Sequence, residues 1–246
     1  MSDNISKQVH ALYMEDARLK HISMITKVGA GEFNKKTYHW VQLAETIFHP
    51  KGGGQPSDEG TIGGAKVAYV HKEFSDKNQL DKFEIYHCFE KDQHFQVGDQ
   101  VELLVNSSVR LLHSRLHTAG HVLAESVNKC FPEFEGYQGN HYPNNSYVKF
   151  KIHAPLSTES KEEIKQKAEA EFSSWIDQNL EVAGILEPSG IRTVKVYKNW
   201  SPCGGTHVKS LKDIGRMEIS DVSINKKECI VTIKYCFSCS AEVFCL

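Results

Sequence analysis

No apolar run in the 246-residue chain approaches the length of a membrane span. The opening stretch, MSDNISKQVHALYMED, lacks the apolar core of a secretory signal, and we expect a cytoplasmic protein with no membrane partner. A disulfide framework is missing too. The seven cysteines are scattered and odd in number, which in such a chain favours thiols or metal ligands. Nor is there an excess of basic charge. Lys and Arg number 29 against 31 Asp and Glu, for a net charge of −2 and a pI near 6.7. A general nucleic-acid binder would be strongly basic. Lys149, Lys151, Lys195, Lys198, Lys209, Lys212 and Arg216 nevertheless fall near the motifs below, either as a local basic face or as ordinary solvated side chains.

What is present is a soluble globular composition, 40% hydrophobic and 24% charged, with room for one large domain or two ordinary ones. Residues 21–105 read mostly as strands. "YHWVQLAETIF", "GTIGGAKVAYVHKEF" with its Gly-Gly turn, "FEIYHCF", and "FQVGDQVELLV" with a Gly-Asp turn carry β-branched and aromatic residues at close spacing. They predict a small barrel or sandwich. From Asn106 the period changes. Leu112, Leu116, Ala119, Leu123 and Val127 form a helical stripe. A second helix is expected from about Lys161 to Asn179, opened by a Ser160/Glu163 capping box. "SYVKFKI", "IRTVKVYK", "GRMEISDVSI" and "CIVTIKY" read as strands. The fold class is therefore α+β, with an all-β part over 1–105 and a mixed part, helices packed on a sheet, over 106–246.

His117 and His121, four apart, stand on successive turns of one helix face, well away from that helix's apolar stripe. Such a pair can place two imidazole nitrogens around one metal ion. His113, one turn back, forms a competing pair with His117. A zinc-peptidase reading fails because Thr118, not Glu, follows the first histidine. Downstream, "SPCGGTHV" sets Cys203 and His207 four apart around Gly204, Gly205 and Thr206. The two pairs together make a complete nitrogen and sulfur set for tetrahedral zinc: His117, His121, Cys203 and His207. The C-terminal Cys229, Cys236, Cys239 and Cys245 include a CxxC that can nucleate a second zinc site, but they lie in and just after a strand-like run, where cysteine is a common small apolar filler, and the filler reading is the one expected.

"HTAGH" followed by "CGGTH" resembles the editing domain of alanyl-tRNA synthetase and its free-standing relatives, the AlaX trans-editing proteins. Upstream, "FHPKGGGQPSDEGTIGG" resembles the glycine-rich motif that longer AlaX proteins carry in an N-terminal β-barrel facing the editing site. The resemblance spans most of the chain. It implies a stand-alone aminoacyl-tRNA deacylase that uses zinc and acts on mischarged alanine tRNA, with no obligate protein partner. It also implies substrate contacts from Gly52, Gly53, Gly54 and Gln55. Gly120 stands where relatives often have Thr, and Gln138 in "GYQGN" lies one residue off the spacing of a family Gln. Thr118 and Gln138 are the expected catalytic side chains, and Gly120 and Asn140 the further substrate contacts. Two other readings carry the same metal ligands: a non-catalytic zinc-stabilised RNA-binding module, and a zinc hydrolase of small esters or amides.

Overall fold

The computed structural model describes residues 9–75, 82–153 and 160–238. Cys239 and Cys245 lie outside them. The chain begins with β1 (His10–Ala11), β2 (Lys20–Phe33), β3 (Lys36–Leu43), β4 (Glu45–Thr46) and β5 (Gly60–Ile62). It continues through β6 (Ala65–Val67), β7 (Tyr69–Phe74), β8 (Phe83–Phe89) and β9 (Gln100–Val105). Seven of these form one antiparallel sheet in the order β6-β5-β9-β2-β3-β8-β7, while β1 pairs with β4 in parallel. The two edge strands, β6 and β7, are joined by Ala68 alone, and the Ala68 amide donates to Cys88 O on β8 at 2.8 Å. The sheet thus curls back on itself, although no ladder between β6 and β7 closes it. Its interior holds Ile25, Val41, Leu43, Phe48, Ile62, Ile85, Phe89 and Leu103.

"FQVGDQVELLV" yields one strand, β9, preceded by a turn. The Asp99 carboxylate accepts from Gln96 N at 2.8 Å and Gly98 adopts φ 98°, so the first half becomes a turn. Phe95 tucks against Phe89, with ring centroids 5.6 Å apart, instead of pairing along a strand.

The second part opens with α1 (Ser107–Cys130), capped by Asn106, whose side chain accepts from Ser108 N and Val109 N at 3.1 and 3.2 Å. Next come β10 (Phe134–Tyr142), β11 (Asn145–Ile152) and α2 (Lys161–Asp177). Then follow β12 (Ala183–Leu186), β13 (Arg192–Lys195), β14 (Trp200–Pro202), β15 (Met217–Asn225) and β16 (Ile230–Phe237). The main sheet, β10-β11-β16-β15, is antiparallel, and β12-β13-β14 form a smaller one. Ser160 accepts from Glu163 N at 3.1 Å and caps α2, which ends two residues short of the expected Asn179. Leu116, Ala119, Leu123 and Val127 of the predicted stripe are buried with Phe150, Phe172, Trp175 and Ile233, while Leu112 packs at the edge. The chain is thus an α+β protein with a β-rich N-terminal region. Among the described residues no helix is long and apolar enough to cross a membrane.

A buried ion pair joins the two parts. Arg110, in the first turns of α1, donates through Nε to Asp58 Oδ1 at 2.9 Å and through Nη2 to Asp58 Oδ2 and to Ile47 O. Asp58 also accepts from His49 N at 2.6 Å.

Candidate metal centre

The face of α1 opposite its apolar stripe does not look into solvent. The segment after β14 and the glycine-rich loop cover it, and His117 is buried there. The ligand atoms of His117, His121, Cys203 and His207 lie within 4.8 Å of one another. Cys203 Sγ is 3.5 Å from His117 Nε2 and 3.2 Å from His207 Nε2. A tetrahedral site with the usual zinc bond lengths has edges of about 3.3–3.6 Å. The two Cys203 edges match that geometry, and the four donors lie close enough together to converge on one metal ion. Of the competing pair, His113 stays outside the cluster, its Nδ1 buried without a partner among the described residues.

Hydrogen bonds fix which nitrogen His117 and His207 present. Gln55 Oε1 accepts from His117 Nδ1 at 2.7 Å, so Nε2 keeps its lone pair. Thr118 Oγ donates its proton to Ser114 O at 2.8 Å and must therefore accept from His207 Nδ1 at 3.1 Å. His207 Nε2 is thereby free as well. Burial lowers both histidines well below the ordinary range, and brings His121 down to about 4. Neutral imidazoles are the state a metal requires. Burial pushes the Cys203 thiol up, against a backbone hydrogen bond from Gly205 and the charge of Arg192. A bound cation would reverse that. Arg192 Nη1 donates to Cys203 O at 3.2 Å and Gly205 O at 2.8 Å, shaping the ligand turn. Gly205 is required by space, since a Cβ there would lie 2.0 Å from His117 Cε1.

The glycine-rich loop is a two-residue turn. Gly52 and Gln55 pair through both backbone bonds, at 3.1 and 3.0 Å, and Gly53 and Gly54 take φ 58° and 76°. Positive φ at both central positions is what glycine supplies in such a turn. The turn docks on β10, where Gly54 O accepts from His141 N at 2.8 Å. Gln55 is sealed and fully engaged. Besides holding His117, it accepts from Thr206 N at 3.0 Å and donates to Thr206 Oγ at 2.9 Å.

The other expected residues are placed differently. Thr118 is sealed, its one proton spent on Ser114 O. Gln138 is exposed beside a bulge in β10, and Asn140 Nδ2 ties the β10–β11 turn through Asn145 O at 2.5 Å. Both point to the face of β10 opposite His141, by the alternation of a strand. The structure does not bring them to the ligand cluster. It brings His141 instead, a residue without a spacing signal. Its ring stacks on His117 with centroids 4.6 Å apart, and burial lowers it to about 3. A cavity of ≈ 210 Å³ adjoins His207 and is lined in part by Tyr13, Ser114, Arg192 and Thr206.

Fold and site define a candidate metal centre whose four donors, able to hold one ion, come as two i, i+4 pairs, one on a helix and one in a glycine turn, gripped from a β-rich module. No protein-family model matches the chain. It is similar to alanyl-tRNA editing protein AlaX-M of Pyrococcus horikoshii, at 31% identity over 211 residues, covering 84% of this chain and 88% of the relative. AlaX-L of the same organism is 28% identical over 199 residues, with 73% of this chain and 46% of the relative covered. An alanine–tRNA ligase from Cutibacterium acnes is 28% identical over 197 residues, of which the match takes up 22% of the ligase. The chain belongs to the AlaX-type alanyl-tRNA editing family.

Proposed function

We propose that this protein hydrolyses, in trans and in the cytoplasm, the ester between a wrong amino acid and the 3′ end of alanine tRNA. Serine-charged alanine tRNA is the main substrate and glycine-charged alanine tRNA a second. The observation that carries the reading is the convergence of His117, His121, Cys203 and His207 beneath the glycine-rich loop, in a chain of the AlaX family.

Zinc is the metal this nitrogen and sulfur set suits best. When bound, zinc supplies a positive charge that polarises an ester carbonyl or orients the amino acid. The chain's own residues do the rest. Gln55 and Thr118 act as positioning residues, since each holds the Nδ1 proton of a ligand histidine. Gly52 and Gly53 leave open space above the turn, where a Cβ would meet nothing within 4 Å, so an acyl-adenosine end can approach the backbone closely. The Gln138 side chain has no hydrogen-bond partner among the described residues and offers its amide to the nucleotide end.

One feature favours a second reading. Four protein ligands close a tetrahedral shell, as in structural zinc, and this suits a non-catalytic RNA-binding module. Release of free serine from serine-charged alanine tRNA, followed with turnover, separates the two. The wild type is expected to release serine with one zinc per chain, and Cys203→Ala to lose both zinc and release. Tight tRNA binding without release would establish the module. Equal cleavage of small aminoacyl esters would establish a general zinc esterase.

A further inference from the structure

Gly120 and His141 compete for one space. Gly120 immediately precedes the ligand His121, and a Cβ there would lie 2.2 Å from His141 Cε1 and 2.5 Å from its Nδ1. Gly139 makes way from the strand side, where a Cβ would lie 2.7 Å from both Cε1 and Nε2. The ring so admitted is buried and lies face to face on His117, with an interplanar angle of 20°. Two glycines have thus been spent on holding one imidazole against a metal ligand.

The imidazole's tautomer follows from its neighbours. Tyr235 has a single hydroxyl proton and donates it to Leu116 O at 2.9 Å. Its oxygen must therefore accept from His141 Nδ1, 2.7 Å away. With the proton on Nδ1, Nε2 carries a lone pair. That lone pair has no hydrogen-bond partner among the described residues. The Nε2–Cδ2 edge is flanked by Gly139 and Gly54, which present backbone only. A Cβ at Gly54 would already lie 3.2 Å from Cδ2. A fixed acceptor without a donor, beside a metal ligand and under the glycine-rich loop, calls for a ligand that brings a donor.

We propose that His141 Nε2 is the specificity-determining acceptor for the hydroxyl of the seryl group. The assignment rests on the deacylation reading above. Serine and alanine differ by this hydroxyl alone. Alanine presents a methyl group in its place and leaves the acceptor unpaired, a penalty that an apolar pocket cannot impose. The α-amino group is common to both esters, so a contact to it would not separate them.

The test uses the zinc-loaded full chain and two substrates, serine-charged and alanine-charged alanine tRNA, with single-turnover rates and zinc content measured in parallel. His141→Phe keeps a flat ring on His117 and removes the acceptor. It is expected to lower the seryl rate ~10- to 100-fold more than the alanyl rate, with zinc retained. His141→Gln, which restores an acceptor oxygen, should recover part of the ratio. Tyr235→Phe leaves the imidazole in place but frees its tautomer, and should narrow the ratio less. An unchanged ratio in these variants overturns the assignment. So does an equal loss on both esters, which would mark His141 as mere support. Should His141→Phe fail to fold, the ratio in Tyr235→Phe decides. A wild type that releases no serine overturns the deacylation reading itself, and this assignment with it.

Discussion

The Gln55 side chain spans three groups at once: the imidazole of His117, and the amide and hydroxyl of Thr206. It joins a ligand on the helix to the turn that carries the other ligand pair. Replacing it by leucine keeps the volume but strands the His117 Nδ1–H and the Thr206 N–H. We expect Gln55→Leu to weaken metal binding by ~10- to 100-fold, the usual cost of losing a ligand's outer partner. Competition against a zinc chelator checks this. An unchanged affinity would mean that stacking on His141, not the amide, orients His117. At the same scale, His113→Ala should leave zinc content intact, because its ring lies outside the cluster.

Among elements, the glycine-rich turn gives a paired comparison. Gly53 and Gly54 share positive φ, so either alanine variant strains the backbone by ~1–2 kcal/mol. They differ in surroundings. A Cβ at Gly53 meets nothing within 4 Å, whereas one at Gly54 would lie 2.5 Å from Gly139 O on β10. Gly54→Ala is therefore expected to undock the turn, pull Gln55 from His117 and lower metal retention, while Gly53→Ala keeps its metal. Equal retention in the two, by elemental analysis of folded protein, would contradict this role for the docking contact. The elements that the sequence disclosed are those with a short period. The helical stripe from Leu112 to Val127 is a local pattern that folds as a helix, and the two i, i+4 pairs are local patterns whose side chains the fold brings together. Gln55 was visible as a motif, but its partners, His117 and Thr206, lie 62 and 151 residues away, beyond any local pattern. His141 was missed for a different reason. The family spacing points to Gln138, with Asn140 offered beside it as a polar contact, and strand alternation turns those two away from the face that His141 shares with α1. Gly120 looked like a lost hydroxyl, yet its emptiness is what seats that ring.

For the molecule as a whole, Arg110 and Asp58 couple the β-rich part to α1. Both side chains are buried, so removing one leaves the other charge without compensation. Arg110→Met is expected to cost about 3–5 kcal/mol in chemical denaturation. The double variant Arg110→Met/Asp58→Asn should cost less than the sum of its singles, since the stranded carboxylate is then gone. Additive losses would show the pair to be uncoupled. The wide sequence separations at the metal centre also set an order of events in synthesis. His117 is made 86 residues before Cys203. At ~5–20 residues per second the helix waits several seconds for its thiolate. Throughout that interval the nascent chain holds only His117 and His121 of the four candidate ligands, half of the final donor set. Firm capture of the ion must await the ligand turn, by which time the Gln55 loop has long been made. An ion held by all four donors would thus be the last component in.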